Sequence, residues 1–94
     1  METIHLSKPL KIKGEDVQEV VLDFDGLTGK DIISAEAQAR ALGESVVPIY
    51  SSMRYQGIVA AKMIGVRVED LEELPAKDYA NLVTSVANFF FTTK

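Results

Sequence analysis

The sequence predicts an α+β fold: a short N-terminal β-hairpin followed by three to four α-helices packed into one small domain. Three observations carry this. Apolar residues alternate with period two as far as Phe24, which is the spacing of half-buried strands. After Gly26 the period changes to 3.6, the spacing of helices that bury one side. A chain of 94 residues has room for one core, because a domain of that size buries roughly 60 to 65% of its unfolded surface. A single domain is expected over 1–94, with the hairpin in 1–26 and helices over 28–43, 48–64, 69–74 and 76–91.

The first strand places Ile4, Leu6, Leu10 and Ile12 on one parity and His5, Ser7, Lys11 and Lys13 on the other. Pro9 removes a backbone donor inside it, which points to an edge position or a break into two short pieces. Gly14-Glu15-Asp16 reads as the turn, and Val20, Leu22 and Phe24 then form one face of a second strand opposite Glu19 and Asp23. The first helix opens at Thr28-Gly29-Lys30-Asp31, a capping box with Asp in place of Glu. It is expected to bury Ile32, Ala35, Ala39 and Leu42 before Gly43 ends it.

Pro48 suits the start of a second helix and Gly65 its end. Tyr50, Met53, Gly57, Ala60, Ala61 and Ile64 form one face, yet Val59 and Met63 project from the opposite side. A helix apolar all round is buried on both sides, either at the domain centre or against another chain. Gly57 with Ala60 and Ala61 is either a groove for another helix or a site of close packing within the domain. A short acidic helix follows in Glu69-Asp70-Leu71-Glu72-Glu73-Leu74, punctuated by Pro75. The last helix has the clearest periodicity in the chain: Tyr79, Leu82, Val83, Val86 and Phe90 make one stripe with Phe89 on its flank. Phe91 points away from that stripe, toward Lys77, Thr84 and Asn88. Either the helix frays before it, or a large apolar group is left for a partner.

Composition narrows the function classes. Hydrophobic residues at 47% and charged residues at 26% mark an ordered globular chain. A net charge of -4 without a Lys/Arg cluster argues against nucleic acid as a partner. With no cysteine, neither a disulfide framework nor a thiolate metal site is available. The N-terminus lacks the basic and apolar regions of a signal peptide, and no apolar run approaches the roughly 20 residues of a membrane span, so an intracellular soluble protein is expected.

Few residues carry catalytic potential. Val20-Val21-Leu22-Asp23-Phe24-Asp25-Gly26-Leu27-Thr28 resembles the first motif of haloacid-dehalogenase phosphotransferases, where one carboxylate attacks phosphorus and the other acts as acid/base. That chemistry needs a parallel sheet with several crossovers, which the helical pattern after residue 28 does not supply, so a strand ending in a turn is the preferred reading. His5 reads as a solvated strand residue, and the acidic run 69–73 lacks the ligand spacing of an EF-hand. The chain has no P-loop, nucleophile elbow or dinucleotide turn. Neither an enzyme activity nor a cofactor or metal is expected.

Several stretches resemble the small, Mu-like phage tail assembly chaperones. They are Ile4-His5-Leu6-Ser7-Lys8-Pro9-Leu10-Lys11-Ile12-Lys13-Gly14, Glu19-Val20-Val21-Leu22-Asp23 and Thr28-Gly29-Lys30-Asp31. The C-terminal part adds Ala60-Ala61-Lys62-Met63-Ile64-Gly65-Val66, Val68-Glu69-Asp70-Leu71-Glu72-Glu73-Leu74, Asp78-Tyr79 and Val86-Ala87-Asn88-Phe89-Phe90, in order and at matching spacing. The resemblance implies a non-catalytic protein of the host bacterial cytoplasm that binds the tape measure protein. It would keep that long helical partner soluble during tail tube assembly and be absent from the mature virion. Relatives of this kind are often made in a frameshifted longer form as well; the adjacent codons of Phe89, Phe90 and Phe91 could form a uridine-rich slippery site, which only the coding DNA would show, and that form and the tail tube protein are then further candidate partners. The alternative is a structural or interaction subunit of the particle, a tail or head-completion component. Partner contacts are expected at Val59, Met63, Phe89 and Phe91, the apolar groups off the main stripes. The all-round apolar second helix also raises homo-oligomer formation.

Overall fold

Lys13 and Gly14 both take positive φ, 51° and 83°, and so close a two-residue hairpin turn whose twist matches that of the strands it joins. In the computed structural model, which describes residues 1–91, this turn links β1 (Glu2–Ile12) to β2 (Glu15–Leu22) in a two-stranded antiparallel sheet. The turn lies one residue earlier than the sequence pattern suggested, because Glu15 already pairs with Ile12. A 3₁₀ turn at Phe24–Gly26 leads to α1 (Gly29–Ala41), and another at Ile49–Ser51 leads to α2 (Met53–Ile64). Then come α3 (Val68–Glu72) and α4 (Ala76–Phe91). The fold class read from the sequence, a hairpin followed by helices in one small α+β unit, is the one observed.

Pro9 neither ends β1 nor divides it. Pairing runs from Glu2↔Leu22 to His5↔Glu19 and resumes at Leu10↔Val17, so residues 6–9 of β1 stand against Gln18 alone. The surplus forms a bulge, where the amide that Pro9 lacks is not needed for the ladder. The bulge also frees the Ser7 amide, which donates to the Asp78 carboxylate at 3.0 and 3.1 Å, while the Ser7 hydroxyl donates to the same group at 2.9 Å. Asp78 is buried in the first turn of α4. Burial alone would raise its pKa. The hydrogen bonds from Ser7 and the Lys8 amide outweigh that and hold the carboxyl below the ordinary value. Further along the same pair of elements, the buried Ser85 hydroxyl donates to Glu2 Oε2 at 2.9 Å.

One face of the hairpin, Ile4, Leu6, Leu10, Val20 and Leu22, closes over α2, whose seven consecutive residues Tyr55–Ala61 are buried. Helices α1, α3 and α4 and strand β2 all touch α2, so its whole circumference is covered. This makes α2 the domain centre and corrects the expectation for Val59. Its side chain has 0% exposure, because the face opposite the main stripe meets a neighbouring element rather than solvent. Gly57 is likewise an internal packing site. A Cβ there would lie 2.9 Å from Tyr79 Cζ, and the Tyr79 ring is anchored by its hydroxyl, which donates to the Met53 carbonyl at 3.1 Å.

Two boundaries also differ from the expected ones. Helix α2 starts at Met53 and not at Pro48, since the Ser52 hydroxyl accepts the Tyr55 amide and so supplies the N-cap, while Pro48 precedes the 3₁₀ turn. Helix α3 spans Val68–Glu72, starting one residue before and ending two residues before the expected 69–74. Along α1 the expected box forms, with Thr28 and Asp31 capping each other. Ala35 and Ala39 are buried and Ile32 is half-buried, but Leu42 is exposed, because it is the C-cap and lies beyond the last helical turn.

Candidate functional site

Residues three and four apart share a helix face, so in α4 the buried stripe Leu82, Val83 and Val86 continues to Phe90. Phe89 and Phe91 then fall about 100° to either side of it. Phe90 is half-buried and packs on the core; Phe89 is 44% and Phe91 55% exposed.

Rings from three other elements gather around them. Phe24, in the turn that follows β2, stacks on Phe89 with centroids 4.6 Å apart and planes 14° apart. Tyr50, in the turn before α2, stacks on Phe90 at 5.9 Å and meets Phe91 edge-on at 5.3 Å. Tyr55 of α2 lies against Phe90 at 5.7 Å, and Phe89 meets Phe90 edge-on at 5.3 Å. Six of the seven aromatic residues thus form one continuous chain of ring contacts around the last turn of α4, and only Tyr79 stands apart. Each such pair contributes about 0.5–1.5 kcal/mol beyond its buried area, enough to hold half-exposed rings in a fixed arrangement. Tyr50 is itself 38% exposed, and Val47 and Met53 from the same segment are more exposed still.

That segment is held by polar contacts. The Glu44 carboxylate accepts from the Ser52 hydroxyl at 2.7 Å and from the Ser45 and Val46 amides at 3.1 Å each. The Ser52 hydroxyl, then the Val46 amide, are the main reasons that its pKa falls below the ordinary carboxylate value. Arg40 Nη1 donates to the carbonyls of Val46 at 2.9 Å and Glu44 at 3.2 Å. The buried Gln56 side chain donates to the Tyr50 carbonyl at 2.9 Å, which fixes the backbone beneath the ring.

The cluster is short of positive charge. From Tyr79 to Phe91 helix α4 has no charged side chain, and its last turn has no basic one. The exposed Asp23 and Asp25 flank Phe24. Arg54, next to Met53 in sequence, lines a different recess with Glu72 and Tyr79.

A family model for phage tail assembly chaperone proteins, E, or 41 or 14, matches residues 3–90. The chain belongs to the phage tail assembly chaperone family. The match starts inside β1 of this chaperone and takes in the whole cluster except Phe91, one residue beyond it. No curated protein and no solved structure matches the chain. Among the described residues of the chaperone, no helix is long and apolar enough to cross a membrane.

Of the four expected contact residues, Phe89 and Phe91 are exposed, on opposite sides of Phe90. Met63 is half-buried and lines a separate recess with Asp23, Gly26, Leu27, Asp31 and Lys62, and Val59 is inside the core. Phe24 and Tyr50 were missed because each was assigned to the buried face of a regular element, whereas both sit in 3₁₀ turns just outside one. A Phe or Tyr two positions from a Gly or Pro at an element's end was the available signal.

Proposed function

We propose that this tail assembly chaperone binds the tape measure protein through the aromatic end of α4, without catalysis, and keeps it soluble in the host cytoplasm while the tail tube assembles. On this reading the chaperone leaves before the virion is finished. A frameshifted longer form and the tail tube protein would join the same complex. The observation that supports the reading is the exposure of Phe89, Phe91 and Tyr50 in a preassembled cluster. A helical partner with an apolar stripe is aggregation-prone in water, and covering that stripe with a rigid apolar surface recovers about 25 cal/mol per Å² buried. Helix-in-surface docking of this kind is anchored by a few large side chains, most often aromatic ones.

Co-expression provides the test. With the parent chain, the tape measure protein is expected in the soluble fraction; with the double variant Phe89→Ser/Phe91→Ser it should move to the pellet while the chaperone itself stays folded by circular dichroism. Unchanged solubility of the partner would sink the reading.

A further inference from the structure

We propose that the outer edge of β1 takes an extended, uncharged segment of another polypeptide as a third strand. Residues 2–5 of β1 line a groove of about 420 Å³ whose other wall is Asn81, Thr84, Ser85 and Asn88, one face of α4. Successive side chains of a strand point to opposite faces, so a groove that touches four consecutive residues runs along the backbone edge. The direction of the backbone groups agrees. The Leu6 carbonyl accepts from the Gln18 side chain of β2, whereas the Ser7 amide turns away from β2 to Asp78 of α4. Burial alternates without a break from Thr3 to Ser7, so the amides and carbonyls of Thr3 and His5 share the outward direction of Ser7.

The complement of such an edge is the main chain of a strand, whose amides and carbonyls alternate at the same spacing. Among the described residues, neither the outward backbone groups of Thr3 and His5 nor the exposed side chains of Asn81, Thr84 and Asn88 have a hydrogen-bond partner. The two walls match in length, since four strand residues span ~10 Å and a helix advances ~10.5 Å in seven residues, which gives room for about four residues of extended chain. The charged groups nearby are already engaged: Glu2 accepts from Ser85 at 2.9 Å, and the His5 ring lies 3.2 Å from Glu19. The walls that remain are amides and hydroxyls, which suit uncharged side chains. A second copy of this chain does not fit, because its own α4 stands along the same edge of its β1 and would meet the first α4 before the strands could pair.

Amide hydrogen exchange on the full chain, read by NMR, tests the edge and then its occupant. In the free chain the Thr3 and His5 amides should exchange at least ~10-fold faster than that of Ile4, which is turned toward Val20. A blocked Thr-Ala-Thr-Ala-Thr-Ala peptide at ~5 mM should slow both, an interaction in the millimolar range. N-methylation of every second peptide residue should weaken binding by at least ~10-fold, because it removes main-chain donors and leaves the side chains unchanged. Asn81→Ala/Asn88→Ala should weaken binding about fivefold and leave the thermal melt unchanged, since both side chains are exposed. Thr3 and His5 amides as slow as Ile4 in the free chain overturn the proposal, as do amides that the peptide leaves unslowed and equal binding of the methylated peptide. A dimer of the chain alone that protects the same two amides, seen by sedimentation, overturns it in favour of a second copy. None of these readouts involves Phe89 or Phe91, so the proposal and the capture of the tape measure protein can fail separately.

Discussion

Gly57 and Tyr79 form a pair in which each residue explains the other. The missing side chain lets the tyrosine ring cross α2, and the ring leaves no room for a methyl group. Gly57→Ala is therefore expected to cost about 1–3 kcal/mol, although alanine is the better helix former, and urea denaturation would register it. Asp78 makes a prediction in pH. Its folded-state pKa lies below the ordinary 3.8, so its contribution to stability is fully present above that value and is lost as the pH falls toward the lowered one. Asp78→Asn should be less stable than the parent at neutral pH, and the gap should close on acidification below about 3.8; a gap that stays constant with pH would remove Asp78 from the account. At this scale the sequence is legible only in part. Helical periodicity put Val59 and Phe91 alike off the main stripe, but it gives an angle around an axis and not what stands at that angle. Neighbouring elements cover α2 on every side, whereas Phe91 lies beyond the last turn that the core covers.

Among the elements, those with local chemical markers were read correctly. Thr28 and Asp31 open α1, Gly65 closes α2 in the left-handed region that glycine tolerates, and the stripe of α4 faces the core from Leu82 to Val86. The segment between α1 and α2 was not, because its shape depends on side-chain contacts across many residues: Glu44 with Ser52, Arg40 with Val46, Gln56 with Tyr50. Propensity does not encode such contacts. Glu44→Ala should speed amide hydrogen exchange at Ser45 and Val46, which lose their acceptor, and loosen the support of Tyr50. Slow exchange retained at both amides would show that Arg40 alone suffices.

For the molecule as a whole, the fold and the proposed binding surface rest on different residues of the same helix. Leu82→Ala removes a fully buried side chain and should cost about 2–5 kcal/mol, whereas Phe91→Ser changes an exposed ring and should cost under about 1 kcal/mol while weakening partner capture. Thermal melts set beside pull-down yields check this division, and parallel losses in both would refute it. The division has an order in time as well. Ser7 with Asp78 and Glu2 with Ser85 join residues 71 and 83 positions apart, so the hairpin is clasped by a helix made long after it. A two-stranded hairpin alone is marginal in water, and the nascent chain has to wait for α4 before it can close. Phe89, Phe90 and Phe91 belong to that same helix, so a chain made only as far as α3 has neither the clasp on its hairpin nor the rings of the proposed binding surface.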